Sequence, residues 1–365
     1  MTAFGVYVHV PFCARRCDYC AFATWADRFH LAGSYVGACL VELGRAVGGG
    51  MPEASSLFFG GGTPSLLSPA DLGSIVESVP LRAGAEVTVE CNPETVDEAK
   101  LRGYAAVGVT RLSFGVQSMA PHVLAALGRR HDVASVARAV DAAGRAGFPG
   151  RYSVDLIFGA AGESVADWAS TVAAALALGP SHVSAYALTV ETGTPLARDP
   201  ARHPDPDDQA SKYELADDLL GAAGLEWYEI SNWAYPGSEC RHNQLYWAQG
   251  EYRGIGCAAH SHRLDPATGG SRRWWNVRTP ERYIRLVEGG RPAESAGEDL
   301  DAGGRGLERL ELSLRTRAGV PASSVSGWAT DPALDGLLAP GPGDRLVLTR
   351  RGRLLANEVA LRLQA

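Results

Sequence analysis

Short runs of alternating apolar and polar residues recur through the first half of the chain. FGVYVHV (4–10), LFFGGGTP (57–64), EVTVECNPE (86–94), RLSFGVQS (111–118), YSVDLIFG (152–159) and HVSAYALTVE (182–191) read as strands. Between them lie Ala- and Leu-rich stretches of helical character, such as VASVARAVDAAGRAG (133–147) and ADWASTVAAALALG (166–179). Strand–helix alternation at this spacing predicts an α/β fold with a parallel sheet and crossover helices. Six strands fall short of the eight that close a barrel, so an incomplete (β/α)6 TIM-type barrel is expected. An open doubly wound sheet fits the pattern almost equally well, but no GxGxxG turn follows the first strand.

The pattern changes after residue 196. ARDPARHPDPDD (197–208) reads as a surface loop, and SKYELADDLLGAAG (211–224) as a helix. Aromatic residues then concentrate from WYEISNWAYPG (227–237) to SRRWWNV (271–277), and a polar, Gly-containing stretch near 292–306 reads as a linker. The tail (343–364) suggests strand, turn, short strand and amphipathic helix. The expected division is a partial barrel over 1–230, an aromatic-rich connecting and covering region over 231–300, and a small C-terminal winged-helix-like α+β domain over 301–365. Such a unit can bind DNA or cap a fold, and a structural role is expected here.

Composition adds limits. The 365 residues are 46% hydrophobic and 21% charged, as in ordinary globular proteins. A net charge of −7 gives no basic surface for nucleic acid. No apolar run reaches the roughly 18 residues of a membrane span, and the start lacks the basic and apolar pattern of a signal peptide. The cytoplasm is the expected location. Seven cysteines, an odd number, argue against a disulfide framework.

Three of those cysteines fall together, as Cys13-Ala-Arg-Arg-Cys17-Asp-Tyr-Cys20. A loop with three thiolates can hold three corners of a [4Fe–4S] cube and leave one iron open. A structural zinc site is the competing reading, but zinc usually takes four ligands in pairs, and no second pair is present. Three unrelated buried thiols are a further alternative, opposed by Arg15, Arg16 and Asp18 between them. Other polar residues sit at or near predicted strand C-termini, where barrel active sites collect. They are GGGTP (60–64), Glu90, Gln117, Arg129 and Asp155. A phosphate loop is the competing reading of GGGTP, but no GK[ST] follows.

CxxxCxxC after a first strand resembles the signature of the radical S-adenosylmethionine superfamily. YVHVPFCARRCDYCAF, FFGGGTPS, VECNPE, RLSFGVQS, LGRRHD and SVDLIFG are similar to oxygen-independent coproporphyrinogen oxidase and its relatives, over most of residues 4–290 and into the tail. The resemblance implies a [4Fe–4S] cluster on Cys13, Cys17 and Cys20, with S-adenosylmethionine on its open iron. It implies that Tyr7, Tyr19, Gly61, Gly62, Thr63, Glu90, Gln117, Arg129, Asp155 and Ala187 contact one or more molecules of that cofactor.

Within this family the chain departs from the oxidases. Phe22 stands where the oxidase motif has a further cysteine, Tyr7 leaves no room for the oxidase's segment before its first strand, and RHNQLYW (241–247) resembles the HNxxYW motif of a haem-chaperone branch. The branch implies haem as cargo and haemoproteins, often respiratory, as clients; a homodimer would also fit. Radical decarboxylation of coproporphyrinogen III is the alternative. His242 could be an axial ligand to haem iron or a hydrogen-bonded histidine at a domain junction, and Cys240, His260 and His262 compete with it for the iron.

Overall fold

The computed structural model describes residues 3–325 and 331–364. β1 (Phe4–Val10) runs through the cysteine loop into α1 (Ala32–Gly48). There follow β2 (Ala54–Gly61), α2 (Pro69–Ser78), β3 (Leu81–Cys91), α3 (Glu98–Ala106), β4 (Arg111–Gln117), α4 (Pro121–Ala126), α5 (Val133–Arg145), β5 (Tyr152–Phe158), α6 (Val165–Ala177) and β6 (His182–Ala187). These six strands pair in chain order, each parallel to the next. The incomplete barrel expected from the alternation is the fold observed.

Strand periodicity divides the side chains between two environments. Val87 and Val89 of β3, Leu112 and Phe114 of β4, and Val154 and Leu156 of β5 enter the core with Leu72, Leu101, Tyr104 and Val136 of the helices. Their alternates, among them Glu90, Ser113 and Asp155, face a cavity inside the curved sheet. Ser68, Asp97, Asp132 and Ser164 each accept a backbone N–H at the start of α2, α3, α5 and α6. Such caps contribute about 1 kcal/mol each.

After α7 (Pro206–Ala222), β7 (Glu226–Glu229) and β8 (Asn232–Ala234) extend the sheet beyond β6. The seven-residue α8 (Arg241–Trp247) then packs on β1 and β2. Gly5 leaves room for its side chains: a Cβ there would lie 2.5 Å from Leu245 Cδ2 and 3.1 Å from the His242 ring. β9 (Glu251–Ile255) joins the free edge of β1 in parallel. β10 (His260–Leu264) and β11 (Ser271–Asn276) continue outward as antiparallel neighbours. α9 (Pro280–Glu288) precedes β12 (Glu294–Leu300), the outermost strand of a 12-stranded sheet.

β12 corrects the linker expected at 292–306. It is an edge strand with nearly every residue exposed, so no apolar alternation marks it. α10 (Ala302–Leu314) follows, with β13 (Val320–Pro321), β14 (Leu338–Gly341), β15 (Arg345–Leu348), α11 (Arg350–Leu354) and α12 (Ala356–Gln364). The last three strands form a separate small sheet around Leu314, Val320, Leu346 and Val359. The short strand expected after the turn in the tail is α11 instead, capped by the Thr349 hydroxyl. Of the winged-helix-like unit expected from 301 onward, residues 326–330 lie outside the described residues. Among the described residues no helix is long and apolar enough to cross a membrane.

One buried ionic group ties α7 to the strand ends. Lys212 is fully buried; its Nζ lies 2.6 Å from Asp208 and 3.2 Å from Glu163, and donates to the Glu163 carbonyl at 2.7 Å. Removing the cation strands a buried carboxylate, which costs about 3–5 kcal/mol. K212M is expected to lower unfolding free energy by about that amount in denaturant titrations, and K212M/E163Q to recover part of it.

Candidate functional site

The cysteine loop leaves β1 and returns at Trp25, where Cys13 N–H donates to the Trp25 carbonyl at 3.1 Å and Trp25 N–H to Pro11 at 2.8 Å. Asp18 fixes its outer side through an ion pair with Arg202 at 3.0 Å. Cys13, Cys17 and Cys20 are all half-buried, and none is in a disulfide. They line a cavity of about 750 Å³. The residues expected to contact the cofactor line it too, as do His242 and Cys240, whereas His260 and His262 do not. Tyr7 and Tyr19 come from β1 and the loop, Gly61, Gly62 and Thr63 from the end of β2, and Glu90 and Gln117 from the ends of β3 and β4. Arg129 lies in the segment between α4 and α5, Asp155 and Ala187 belong to β5 and β6, and His242 lies in α8.

A chain of hydrogen bonds joins two of the thiols across three strand ends. Thr63 Oγ1 donates to Cys13 Sγ at 3.6 Å, and Asn92 Nδ2 to Thr63 Oγ1 at 3.2 Å. Arg129 Nη2 donates to Asn92 Oδ1 at 2.8 Å, and its Nη1 to Cys17 Sγ at 3.5 Å. Asn92 stands in VECNPE but was not among the nominated residues; its role depends on a contact with Arg129 that local spacing does not reveal. Gly62 allows the β2 end to approach the loop, since a Cβ there would lie 2.6 Å from the Phe12 carbonyl and 3.1 Å from Cys13 Sγ. Gln117 has a φ of 67°, uncommon for a side-chain-bearing residue. Such strain concentrates at functional sites.

Three observations test whether this cavity fits the expected groups. Among the described residues, no three His, Cys, Asp or Glu side chains converge as a single metal ion needs. A cube needs no such convergence, since its irons each take a separate thiolate. Arg129 Nε is buried without a partner, leaving a donor for an anionic group. Acidic groups line the same cavity from β3 and β5. Burial, with Asp155 nearby, pushes the Glu90 carboxyl up to about 8 although Gly61 N–H donates to it at 3.2 Å. Asp155 is also raised by burial, while accepting from Ser113 at 2.8 Å and Ser184 at 2.7 Å. A cationic amino group or ribose hydroxyls would satisfy these carboxylates.

His242 is buried with both nitrogens engaged. Ser56 Oγ lies 2.9 Å from Nδ1 and the Tyr246 hydroxyl 2.8 Å from Nε2. Phe58 stacks on the ring at 5.3 Å. Cys240 is buried beside Glu86. His260 and His262 lie in a second cavity of about 790 Å³, between β1 and the strands beyond it. Tyr7, Ala21, Phe22, Gly61, Glu90 and Tyr246 line both cavities. Phe22 is 66% exposed at their junction.

An open barrel carrying three cysteines after its first strand is a radical S-adenosylmethionine scaffold, and the superfamily's profile matches residues 7–175. Among solved structures, the Escherichia coli coproporphyrinogen III oxidase HemN, described as a radical SAM enzyme, superposes with a TM-score of 0.83 over 100% of this chain and 90% of that one. At 21% identity this likeness concerns the fold. The chain is 42% identical to the heme chaperone HemW of Mycobacterium tuberculosis, over 98% of this chain and 93% of the relative. It is 33% identical to the heme chaperone HemW of Escherichia coli K12, over 97% and 96%. The chain belongs to the HemW family.

Two predictions follow from the geometry. N92A breaks the bridge between Thr63 and Arg129, and loss of one partner in a buried polar pair costs about 1–3 kcal/mol. Equilibrium binding of S-adenosylmethionine to the cluster-loaded variant should weaken by about tenfold or more. The second concerns acid. Burial lowers His242 from 6.5 to about 3 and His9 to about 4. Both imidazoles stay neutral in the fold and take up protons on unfolding, so the stability they contribute is present above about 6.5 and lost as pH falls toward the folded values. H242Q should flatten the fall of Tm between pH 6.5 and 4.

Proposed function

We propose that the chain is a haem chaperone: it binds haem as cargo and passes it to haemoproteins, respiratory ones among them, in the cytoplasm. The observation that carries this reading is the joining of the cysteine-lined cavity to a second, aromatic- and imidazole-lined cavity through shared walls. Each falls within the roughly 300–1,000 Å³ of small-molecule sites. A flat macrocycle can lie beside the cofactor without displacing it. Relatives matched over nearly their whole length, named heme chaperones, support the same reading.

In this reading Cys13, Cys17 and Cys20 hold a [4Fe–4S] cluster, and S-adenosylmethionine occupies the rest of the first cavity. Together these groups supply one-electron chemistry when bound. The chain's own residues bind and orient. Arg129 offers Nε to the cofactor carboxylate, while Glu90 and Asp155 take its hydroxyls or amino group. Gly61, Gly62 and Thr63 let backbone approach it closely, with Tyr7, Tyr19, Gln117 and Ala187 completing the enclosure. Haem transfer itself requires no bond to be broken in the cargo, so activity as a carrier is separable from use of the radical chemistry.

Titrating the anaerobically reconstituted protein with haem is expected to give a saturable, stoichiometric Soret shift. Incubation with coproporphyrinogen III, reductant and S-adenosylmethionine is expected to give no protoporphyrinogen. A missing Soret shift together with protoporphyrinogen formation would replace this reading with the oxidase.

A further inference from the structure

Five histidines line the two cavities, and their hydrogen bonds separate them. His242 is held at both nitrogens, as described above. His9 is too, with the Tyr7 hydroxyl 3.2 Å from Nδ1 and the Ala23 carbonyl 2.9 Å from Nε2. His182 has an unpartnered Nδ1, but its Nε2 meets the Tyr228 hydroxyl, which donates or accepts and so leaves the tautomer open. His260 is exposed and stacks on Trp275 at 5.5 Å.

His262 differs from all four. Its Nδ1 lies 2.8 Å from the Gly250 carbonyl. A carbonyl only accepts, so Nδ1 carries the hydrogen, and in the neutral ring Nε2 holds the lone pair. That Nε2 has no partner, although His262 is only 3% exposed. A buried acceptor left unpaired costs about 1–3 kcal/mol. An imidazole fixed through Nδ1–H, with Nε2 bare, is oriented as metal-ligating histidines are.

The rest of the second cavity selects what metal it would be. Among the described residues no set of three ligating side chains converges there, so a bare ion finds no cage. An iron that arrives with four porphyrin nitrogens needs an axial ligand only. Tyr246, Tyr252, Trp275 and Leu312 offer apolar and aromatic walls to a flat ring. Arg278 lines the same cavity and has no ion-pair partner among the described residues. A carboxylate at the ring's edge would find an unoccupied guanidinium.

Resting on the haem-carrier reading, we infer that haem lies in this second cavity, with His262 Nε2 on its iron and Arg278 on a propionate. The cargo then sits against β10 and β11, beside the cofactor cavity and outside it.

The test uses the full chain with its cluster reconstituted, titrated with ferric haem and followed by absorption and electron paramagnetic resonance. The wild type is expected to show an imidazole-ligated spectrum. H262A should lose that signature and bind at least about tenfold more weakly, about 1.4 kcal/mol, and added imidazole should restore the signature. R278A, an exposed position that leaves the core untouched, should weaken haem binding severalfold while binding haem dimethyl ester as the wild type does. It carries the test if H262A does not retain its cluster iron. A wild type that binds no haem overturns the carrier reading and this site with it. A wild type that binds haem, with H262A keeping the same spectrum and affinity, overturns the site alone. R278A indistinguishable from wild type toward both haem and its ester does so as well.

Discussion

β1 is hydrogen-bonded in parallel on both edges, and the two cavities exist because of it. On one side Val10 stands opposite Gly61; on the other Val8 stands opposite Ile255. The cysteine loop therefore leaves the sheet between two neighbouring strand ends. One neighbour delivers Gly61, Gly62 and Thr63 to the thiols, and the other leads into the turn before His260. A one-residue slip in either register would turn Tyr7 and His9 from the cavities into the core and Val6 and Val8 into the cavities. Val6, Val8 and Val10 are all but fully buried, so such a slip is strongly disfavoured.

The interior of the barrel is polar on the face opposite the core. Asp155 accepts from two serines, Glu86 accepts from Cys240 Sγ and the N-terminal turn of α8, and Arg111 donates to Ser153 and the Ser238 carbonyl. This network holds the walls of the cavity in place before any ligand arrives, which lowers the ordering cost of binding. Among the groups left unpaired are Arg129 Nε in one cavity and His262 Nε2 in the other.

The barrel and the first cavity were legible in the sequence because both are local in chain order. Each strand carries its own alternation, and consecutive strands pair with each other, so residues at successive strand ends converge without any long-range inference. Cys13, Gly61, Glu90, Gln117 and Asp155 meet for that reason. The second cavity was not legible. β9 pairs with β1 across almost the whole barrel sequence, and nothing near Glu251 announces that partner. β12, exposed along its length, resembles a loop in composition. The hydrogen bonds that occupy His242 and leave His262 bare depend on Ser56, Tyr246 and Gly250, which no spacing rule connects. Sequence could nominate imidazoles but not choose among their nitrogens.

Tyr7, Ala21, Phe22, Gly61, Glu90 and Tyr246 face both cavities. A wall common to two sites makes their occupants thermodynamically linked. Whatever free energy the occupant of one side adds to or takes from the other is a single quantity, returned in full when the order of binding is reversed. On the proposed reading, cofactor beside the thiols and cargo beside β10 would set each other's affinity through the same six residues.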